Sequence, residues 1–351
     1  MNMKSKNTVI LVGGIHLGKK PDCGETMKNQ LFLKRFNELF ERVIPVDTFE
    51  WRKRPWCLMK MLVTLIKHPK AKVIISASSA AKHLINFLNK FPINKTAYFW
   101  VVGGDLPVAV RKGLYDVKAL NNLVYIPVQG RSMVKELNEL GINNAVYVPN
   151  SKPITFHPTI QKHPQGKPYR FVFLSRIHPE KGITEIVAAA NKLNEKGYKG
   201  QYSIDFYGSK DAVFAQEFEQ IISESENMEY KGYMDLTSDA GYELLSSYDM
   251  MLFPTYWHGE GFPGVVLDAN IAGVPIIATD WNLNTEVIED NVTGIIIPTH
   301  DSEALYEAMK KVITGEKDLV GMKKNCVEFV QQYDFRNILS VDLMKKLKLY
   351  E

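Results

Sequence analysis

Two positively charged residues lie close together where a strand is predicted to turn into a helix. Arg176 and Lys181 stand five positions apart in residues 175–182. An arginine fork and a lysine point charge at one such turn can both bind a single diphosphate. In the alternative interpretation, Lys181 is a surface lysine and Arg176 pairs with a local carboxylate. The first interpretation predicts an anion site, and the second predicts none.

A glycine-rich stretch at residues 258–275 is the second candidate site. Its glycines cluster where the backbone enters a predicted helix beginning at Gly264, so backbone N–H groups and the positive end of the helix dipole are expected to face a ligand. Glu260 precedes this helix and Asp268 lies within it, eight positions on. The two acids could bracket one ligand. Taken singly, each also fits a helix N-terminal charge or a solvated face.

The spacing of these residues resembles the signature of family-4 retaining glycosyltransferases of the GT-B fold. That signature is a pair of acids separated by seven residues and followed by Gly-x-Pro, which matches Glu260, Asp268, Gly273 and Pro275. The resemblance implies that Glu260 holds the hydroxyls of a donor sugar and that Asp268 binds the ribose diol of a nucleotide. It also implies donor contacts from four residues of the loop: Gly261, Phe262, Gly264 and Val265.

The sequence departs from this signature in two places. Asp268 stands where the family usually has glutamate, and its side chain is one methylene shorter. The order Phe262-Pro263-Gly264 differs from the more common Phe-Gly-x-Pro. Pro263 also removes one N–H donor from the loop.

Arg176 and Lys181 resemble the donor-phosphate site of the same family. The resemblance implies that they act with Glu260 in catalysis, because the two cations neutralise the leaving diphosphate. We therefore expect a retaining, hexosyltransferase-like and metal-independent enzyme with no cofactor beyond its nucleotide-diphosphate sugar donor. The sequence contains no Asp-x-Asp pair, which glycosyltransferases of the other common fold usually use to hold a metal.

The first part of the chain offers two weaker candidates. Gly14 lies in a glycine-containing loop at residues 13–20, directly after the first predicted strand. The family places such a loop near the donor phosphates and the acceptor, which makes Gly14 a candidate donor contact; a simple tight turn is the alternative. Asp105 follows Gly103-Gly104 after another predicted strand. It is a candidate contact to the sugar or acceptor in a region where the family often has a histidine.

Residues 51–67 contain two tryptophans and five basic residues but no acids. Basic amphipathic segments with aromatic residues bind anionic bilayer interfaces. This composition predicts docking on the inner membrane leaflet, where a lipid-linked acceptor would lie. The alternative is an ordinary helix buried by its leucine and methionine face.

Apolar runs of strand length alternate with segments of helical period along the chain, and this alternation predicts parallel sheets covered by helices. The expected fold class is α/β, with two Rossmann-like doubly wound domains facing a central cleft. We expect an acceptor-side domain at residues 1–150, a linker at 151–169 and a nucleotide-sugar-binding domain at 170–332. By resemblance to the family, residues 333–351 form a helix that returns to the first domain.

Length, charge and cysteine content agree with this reading. The 351 residues predict more than one domain. Residues 1–150 carry 23 Lys and Arg against 10 Asp and Glu, an excess that suggests an anionic partner for this half. Three scattered cysteines favour a reducing cytosol over a disulfide framework. No apolar stretch is long enough to span a bilayer, and no nucleic-acid-binding signature is present.

The favoured function is therefore a cytoplasmic glycosyltransferase for capsule, exopolysaccharide or lipopolysaccharide assembly, with a glycan or lipid-linked acceptor. A sugar-nucleotide epimerase on the same fold is the nearest alternative, since it would act on the donor alone. A non-catalytic nucleotide-sugar-binding protein is the third, and the two departures from the signature favour it.

Overall fold

The computed structural model of the chain describes residues 4–21, 23–78, 80–90 and 96–350. These residues form two compact units. The first unit combines residues 1–150 with residues 335–351, and the second comprises residues 151–334. Within the described residues, no helix combines the length and the apolar composition needed to cross a bilayer.

The first unit is built on parallel strands. They are β1 Ser5–Gly13, β2 Phe40–Asp47, β3 Lys72–Ile75, β4 Ala97–Phe99, β5 Ile126–Val128 and β6 Ala145–Tyr147. Four strands pair in the order β2-β1-β3-β4, and β5 pairs with β6. Backbone hydrogen bonds from Val124 N to Ala97 O and from Val101 N to Pro127 O bring β5 beside β4. Buried strand residues such as Val9, Leu11 and Ile74 form the core with Phe36.

Six helices of the first unit connect these strands. They are α1 Gly24–Leu39, α2 Trp56–Lys67, α3 Ala81–Lys90, α4 Leu106–Arg111, α5 Val117–Asn121 and α6 Arg131–Glu139. The alternation of strand and helix is the predicted one, because parallel neighbours need a crossover connection.

The second unit has a six-stranded parallel sheet. Its strands are β7 Tyr169–Leu174, β8 Tyr202–Tyr207, β9 Met228–Gly232, β10 Met250–Phe253, β11 Ile276–Thr279 and β12 Gly294–Ile297. They pair in the order β12-β11-β10-β7-β8-β9, which is the Rossmann strand order. The direction of the winding reverses between β7 and β10, and such a switch point is where ligands bind in open α/β sheets.

Helices and short 3-10 turns complete the second unit. The helices are α7 Ile183–Glu195, α8 Ala215–Ser223, α9 Asp239–Ser246, α10 Gly264–Ile271, α11 Asn284–Val287, α12 Ser302–Ile313 and α13 Leu319–Val330, and the 3-10 turns are Pro179–Lys181 and Gln331–Tyr333. Aromatic side chains fill the core: Phe173 packs 5.5 Å from Phe206 between ring centroids, and Phe206 packs 5.5 Å from Phe218.

Residues 151–169, which the sequence predicts to be a linker, pack on the second unit instead. Phe156 stacks on Tyr242 with 5.6 Å between ring centroids. His163 Nδ1 lies 3.0 Å from Asp249 Oδ2, and its ring stacks on Tyr169. The sequence could not predict these contacts, because prolines indicate irregular backbone but do not show what the neighbouring side chains contact.

The end of the chain returns to the first unit through α14 Phe335–Ile338 and α15 Val341–Lys346. Leu339 O accepts a hydrogen bond from Arg35 Nε at 3.0 Å, and Leu349 O accepts one from Asn7 Nδ2 at 2.9 Å. Tyr333, placed by the sequence at the start of this returning segment, stays with the second unit, where its ring contacts Phe262.

Candidate functional site

The candidate site lies where β7 and β10 end, side by side, in the second unit. These strands pair in parallel, with Leu252 opposite Phe173, so the loops that follow them leave from the same edge of the sheet. Arg176 and Lys181 follow β7, and Glu260 follows β10. Lys181 and Glu260, which are 79 positions apart in the sequence, therefore meet at the switch point of the sheet.

The loop after β7 is held tightly against the end of β10. His178 Nδ1 accepts a hydrogen bond from Glu180 N at 3.2 Å and so caps the 3-10 turn Pro179–Lys181. Gly182 ends this turn with a φ of 80°, and a Cβ added there would lie 2.2 Å from Pro254 O. Only glycine allows both this conformation and this close approach.

Lys181 and Glu260 form an ion pair between the two loops, with side chains that are 8 and 13% exposed. Lys181 is only 6% exposed, which rules out the alternative of a surface lysine. Thr255 Oγ1 also donates to Glu260 Oε2 at 3.2 Å, and Thr279 Oγ1 fixes Thr255 by donating to its carbonyl at 2.5 Å. A buried carboxylate held by several groups keeps one orientation, as a residue that must meet sugar hydroxyls requires.

Trp257 joins the two predicted cations. The Arg176 guanidinium carbon lies 5.0 Å from its ring centroid, and Lys181 Nζ lies 5.8 Å from it. Trp281 Nε1 donates to Trp257 O at 2.8 Å and holds the residue in place. Arg176 is exposed, and no carboxylate pairs with it in the described parts of the chain. The alternative of a local ion pair for Arg176 therefore does not hold.

Sequence analysis did not identify Trp257. The available signal was its position, directly before the glycine-rich stretch at residues 258–275. A tryptophan after a strand is more often part of a core, so its type and position alone do not show that two cations lie near its ring. The fold supplies that information by bringing the loop after β7 beside it.

The start of α10 provides backbone donors at the same edge. Pro263 is its N-cap residue, and Gly264 is the first helical residue. The first N–H groups of a helix have no partner within the helix, and Gly264 and Val265 are half-exposed. Gly261 and Phe262 are buried, and the Phe262 ring packs on Tyr333 with 5.2 Å between centroids. Gly264 and Val265 are therefore more accessible to a ligand than Gly261 and Phe262.

Asp268 lies in a separate buried cluster. Both of its carboxylate oxygens accept from Lys152 Nζ, at 2.8 and 2.6 Å, and the Tyr242 hydroxyl donates to Oδ1 at 2.7 Å. Burial, with the negative charge of Asp268 as the second cause, raises the pKa of Tyr242. In the described residues no contact joins Asp268 to Lys181 or Glu260. The ribose contact expected for Asp268 stays a prediction, and the structure gives this residue internal partners.

The candidate residues of the first unit are Gly14 and Asp105. Gly14 N donates to Glu25 Oε1 at 3.0 Å, so its amide already has a carboxylate partner. Asp105 is the exposed N-cap residue of α4 and makes no capping hydrogen bond with its side chain. Burial, followed by the charge of Asp105, raises the pKa of Tyr115 to about 12.

The loop that contains Gly14 is organised by Asp47 at the end of β2. Its carboxylate accepts hydrogen bonds from Ile15 N at 2.9 Å, His16 N at 3.2 Å, Leu17 N at 3.1 Å and Phe49 N at 3.0 Å. Burial acts to raise the pKa of Asp47, but these backbone donors outweigh it and lower the pKa. The described residues contain no group of three or more histidine, cysteine or acidic side chains suited to a metal ion.

Comparison with known proteins yields a family match and several relatives. A family model described as glycosyl transferases group 1 matches residues 157–329. An amylovoran biosynthesis glycosyltransferase of Erwinia amylovora is 26% identical over 50% of this chain and 44% of its own length. An N,N'-diacetylbacillosaminyl-diphospho-undecaprenol alpha-1,3-N-acetylgalactosaminyltransferase of Campylobacter jejuni is 32% identical over 34% of this chain and 30% of its own. The chain thus spans less than half the length of these two relatives.

The fold has a close match among solved structures. Anabaena HepE, solved in complex with UDP, superimposes with a TM-score of 0.75 at 12% identity, covering 97% of this chain and 99% of its own. Such low identity shows a shared fold alone. The predicted α/β fold class of the GT-B type is confirmed.

Proposed function

The second unit of this chain belongs to the glycosyl transferases group 1 family, and from that premise we propose that the protein is a retaining glycosyltransferase of surface-polysaccharide assembly. Its donor is a nucleotide-diphosphate sugar. The bond between the anomeric carbon and the diphosphate oxygen breaks, and a bond from that carbon to an acceptor oxygen forms. The products are the glycosylated acceptor, the nucleoside diphosphate and the proton of the acceptor hydroxyl.

The ion pair between Lys181 and Glu260 is the observation that carries this proposal. It places a carboxylate that can accept hydrogen bonds from sugar hydroxyls directly beside a cation that can bind the diphosphate. Arg176, whose guanidinium carbon lies 5.0 Å from the Trp257 ring centroid, adds a second cation without a carboxylate partner in the described residues. Negative charge that develops on the leaving diphosphate is stabilised by such preorganised groups.

Release of nucleoside diphosphate from a panel of nucleotide sugars and acceptors tests the proposal. We expect Glu260→Gln and Lys181→Met each to lower turnover roughly 100-fold or more, as loss of a charge-stabilising group does. Lys192→Met is the matched control, because Lys192 forms another lysine–glutamate pair of the same unit with Glu303, on α7 and α12. Circular dichroism checks that the variants fold. Equal losses in the control and site variants would contradict the assignment.

The same assay separates the alternatives to transfer. Incubation of the donor without an acceptor yields an epimer if the protein is an epimerase. Donor binding without nucleotide release under any acceptor identifies a non-catalytic binding protein. We expect neither outcome, because the cation pair and Glu260 are suited to supporting departure of the diphosphate.

We also propose that α2 docks on an anionic inner membrane leaflet. Trp56, Met59, Val63 and Ile66 are 62, 63, 45 and 58% exposed. Their spacing of three and four residues places them on one face of the helix. This set of four is termed the α2 stripe below.

The opposite face of α2 is the buried one. Cys57, Met61 and Leu65 pack into the first unit, so the helix has two apolar faces, of which one covers the core. Lys60 and Lys67 are exposed on the helix beside the α2 stripe. Apolar side chains next to lysines suit the headgroup region of an anionic bilayer.

Flotation with lipid vesicles tests this docking. We expect binding to vesicles containing phosphatidylglycerol, weaker binding to pure phosphatidylcholine, and loss of binding in Met59→Ser/Ile66→Ser. Val213→Ser is the matched control, because Val213 is 95% exposed in the second unit. Equal flotation of both variants would contradict the docking proposal and leave the donor-site assignment unaffected.

A further inference from the structure

The exposed side chain of Arg176 is held by an aromatic ring. Its guanidinium carbon lies 5.0 Å from the Trp257 ring centroid. In the described parts of the chain, this guanidinium takes part in no hydrogen bond and no ion pair. Arginine has one of the largest side-chain entropies, so an exposed arginine without a partner samples many orientations. The ring contact therefore decides where the positive charge of Arg176 lies.

Lys181 depends much less on the same ring. Its ammonium group pairs with Glu260, and it also lies 6.0 Å from the centroid of the Phe253 ring. The side chain is almost completely buried. Because burial and the ion pair fix Lys181 already, loss of the Trp257 ring should mainly release Arg176.

The backbone of Trp257 is fixed by three hydrogen bonds. Its N–H donates to Thr255 Oγ1 at 3.2 Å, and its carbonyl accepts from Glu260 N at 3.0 Å and from Trp281 Nε1 at 2.8 Å. The His178 ring meets the indole edge to face, with 5.0 Å between centroids. A ring held in this way can keep a guanidinium in one place.

Gly259 leaves room for this position of the indole. A Cβ added at Gly259 would lie 2.9 Å from Trp257 Nε1 and 3.6 Å from Cδ1. Gly259 is not among the residues with a positive φ, so an alanine can adopt its backbone conformation. The contact would be relieved by a shift of the indole, because the nearest atoms belong to a side chain. Gly259→Ala is therefore expected to displace the ring while the fold is retained.

We propose that Trp257 is a positioning residue that holds Arg176 as the second cation for the donor diphosphate, and that it thereby sets the preference for a nucleoside diphosphate over a monophosphate. Lys181 supplies one fixed cation, with which either ligand can pair. A diphosphate has a second phosphate group, and an ordered guanidinium binds it through two parallel hydrogen bonds. This inference rests on the proposed glycosyl transfer and adds a residue that determines recognition of its leaving group.

Binding of nucleotides without an acceptor tests the inference. The probes are UDP, GDP, ADP and dTDP with the corresponding monophosphates, measured by isothermal titration calorimetry. Trp257→Leu should raise the Kd of the tightest diphosphate about tenfold and change that of its monophosphate by less than about twofold. Trp257→Phe keeps an aromatic face and should recover part of the loss. Tyr306→Leu is the matched control, because the Tyr306 ring lies 4.8 Å from Lys192 Nζ and 5.6 Å from Lys310 Nζ, on α7 and α12.

A double-variant cycle shows whether Trp257 acts through Arg176. In an Arg176→Gln background, Trp257→Leu should have no further effect on the Kd of the diphosphate, whereas independent effects would multiply. Gly259→Ala should raise this Kd by a smaller factor than Trp257→Leu, and it should also have no effect in the Arg176→Gln background. Losses that persist in full in that background would overturn the positioning role.

The outcomes separate this inference from the proposed function. If the wild type binds a diphosphate and Trp257→Leu binds it as tightly as Tyr306→Leu does, the positioning role is refuted and the enzyme assignment stands. If Trp257 and Arg176 are coupled in binding but no nucleotide sugar is ever turned over, the proposed function fails and the positioning role stands. Absence of diphosphate binding to the wild type would overturn both.

Transfer kinetics add a second measurement. Trp257→Leu should raise the KM for the donor about tenfold and leave the KM for the acceptor unchanged. A general loss of structure would instead lower the fraction of active enzyme and leave both KM values as they are in the wild type. That result would contradict the inference.

Discussion

Lys152 Nζ lies 2.8 and 2.6 Å from the two carboxylate oxygens of Asp268, on a helix 116 positions later in the chain. Both side chains are at most 10% exposed. The second acid of the glycosyltransferase signature is thus part of a buried ion pair that fastens α10 to the start of the second unit. Its first partner is a protein side chain, which gives this residue a structural role whether or not a ribose also contacts it.

Removal of Lys152 should strongly destabilise the second unit. Lys152→Met leaves the carboxylate buried without its cation, which costs about 3–5 kcal/mol. The double variant Lys152→Met/Asp268→Asn should recover part of that loss. Urea unfolding followed by the fluorescence of Trp257 and Trp281 measures the free energy. Lys199→Met is the control, because Lys199 and Glu226 pair at the surface with side chains 60 and 77% exposed; a similar loss there would contradict the structural role.

The predicted ribose contact of Asp268 has its own test. If Asp268 also binds the diol, the wild type should bind a ribonucleoside diphosphate more tightly than its 2'-deoxy analogue, and Asp268→Asn should lose the difference. Tyr242→Phe removes only one hydrogen bond from Asp268. This variant should still bind the ribonucleoside diphosphate more tightly than its 2'-deoxy analogue. Identical discrimination in the wild type and Asp268→Asn would leave this residue with its internal role alone.

Gly182→Ala should damage both stability and turnover. Its φ of 80° alone costs an alanine about 1–2 kcal/mol, and the added Cβ would meet Pro254 O at 2.2 Å. The backbone must move, and Lys181 moves with it. Gly315→Ala is the control, since Gly315 has a φ of 75° with no atom within 4 Å of the added Cβ. Gly315→Ala should lower the free energy of unfolding by the cost of the positive φ and leave turnover unchanged. Equal losses of turnover in both variants would contradict the explanation that Gly182→Ala displaces Lys181.

Lys28 should make the stability of the first unit depend on pH. Burial lowers the pKa of this lysine to about 7, and its Nζ donates to Val101 O at 3.0 Å. Between pH 7 and the ordinary lysine pKa, the unfolded chain retains a proton that the folded chain has lost. The free energy of unfolding therefore rises with pH in this window, by up to about 1.4 kcal/mol per pH unit.

Lys28→Met removes this dependence. The free energy of unfolding of the variant should exceed that of the wild type most strongly below pH 7. This difference should shrink as the pH rises toward 9. Urea unfolding of both proteins across this range measures the difference. A difference that stays constant with pH would show that Lys28 titrates as an ordinary lysine.

Chelation should leave turnover unchanged. In the proposed mechanism Arg176 and Lys181 would provide the positive charge for the leaving diphosphate, so we expect no resident metal. EDTA should have no effect on nucleotide release, whereas Arg176→Gln should lower it roughly 100-fold. Loss of activity in EDTA, restored by Mg²⁺, would contradict this expectation.

The strands could be predicted where an apolar run ends at polar residues. The run at residues 72–75 has the bounds of β3. The apolar run at residues 97–102 is longer than β4, which ends at Phe99, although Trp100 N still donates to Ile75 O and Val101 N to Pro127 O. Hydrophobicity reports burial, and buried residues with single backbone hydrogen bonds can continue beyond the regular part of a strand.

The candidate site was only partly predictable for a related reason. The types and local spacing of Arg176, Lys181 and Glu260 indicated the chemistry, and the fold brings the last two together. Neither Trp257 near the two cations nor Lys152 beside Asp268 could be found in this way. Their contacts depend on which segments become neighbours in the folded chain, and local spacing carries no such information.

The four backbone N–H groups that meet at Asp47 have a consequence for ligand binding in the first unit. A carboxylate from the chain itself already fills the place that an external anion would take in this loop. The loop is therefore preorganised, and the binding of a ligand beside it does not have to offset the entropy cost of ordering it. Binding there should proceed without an induced fit of this segment.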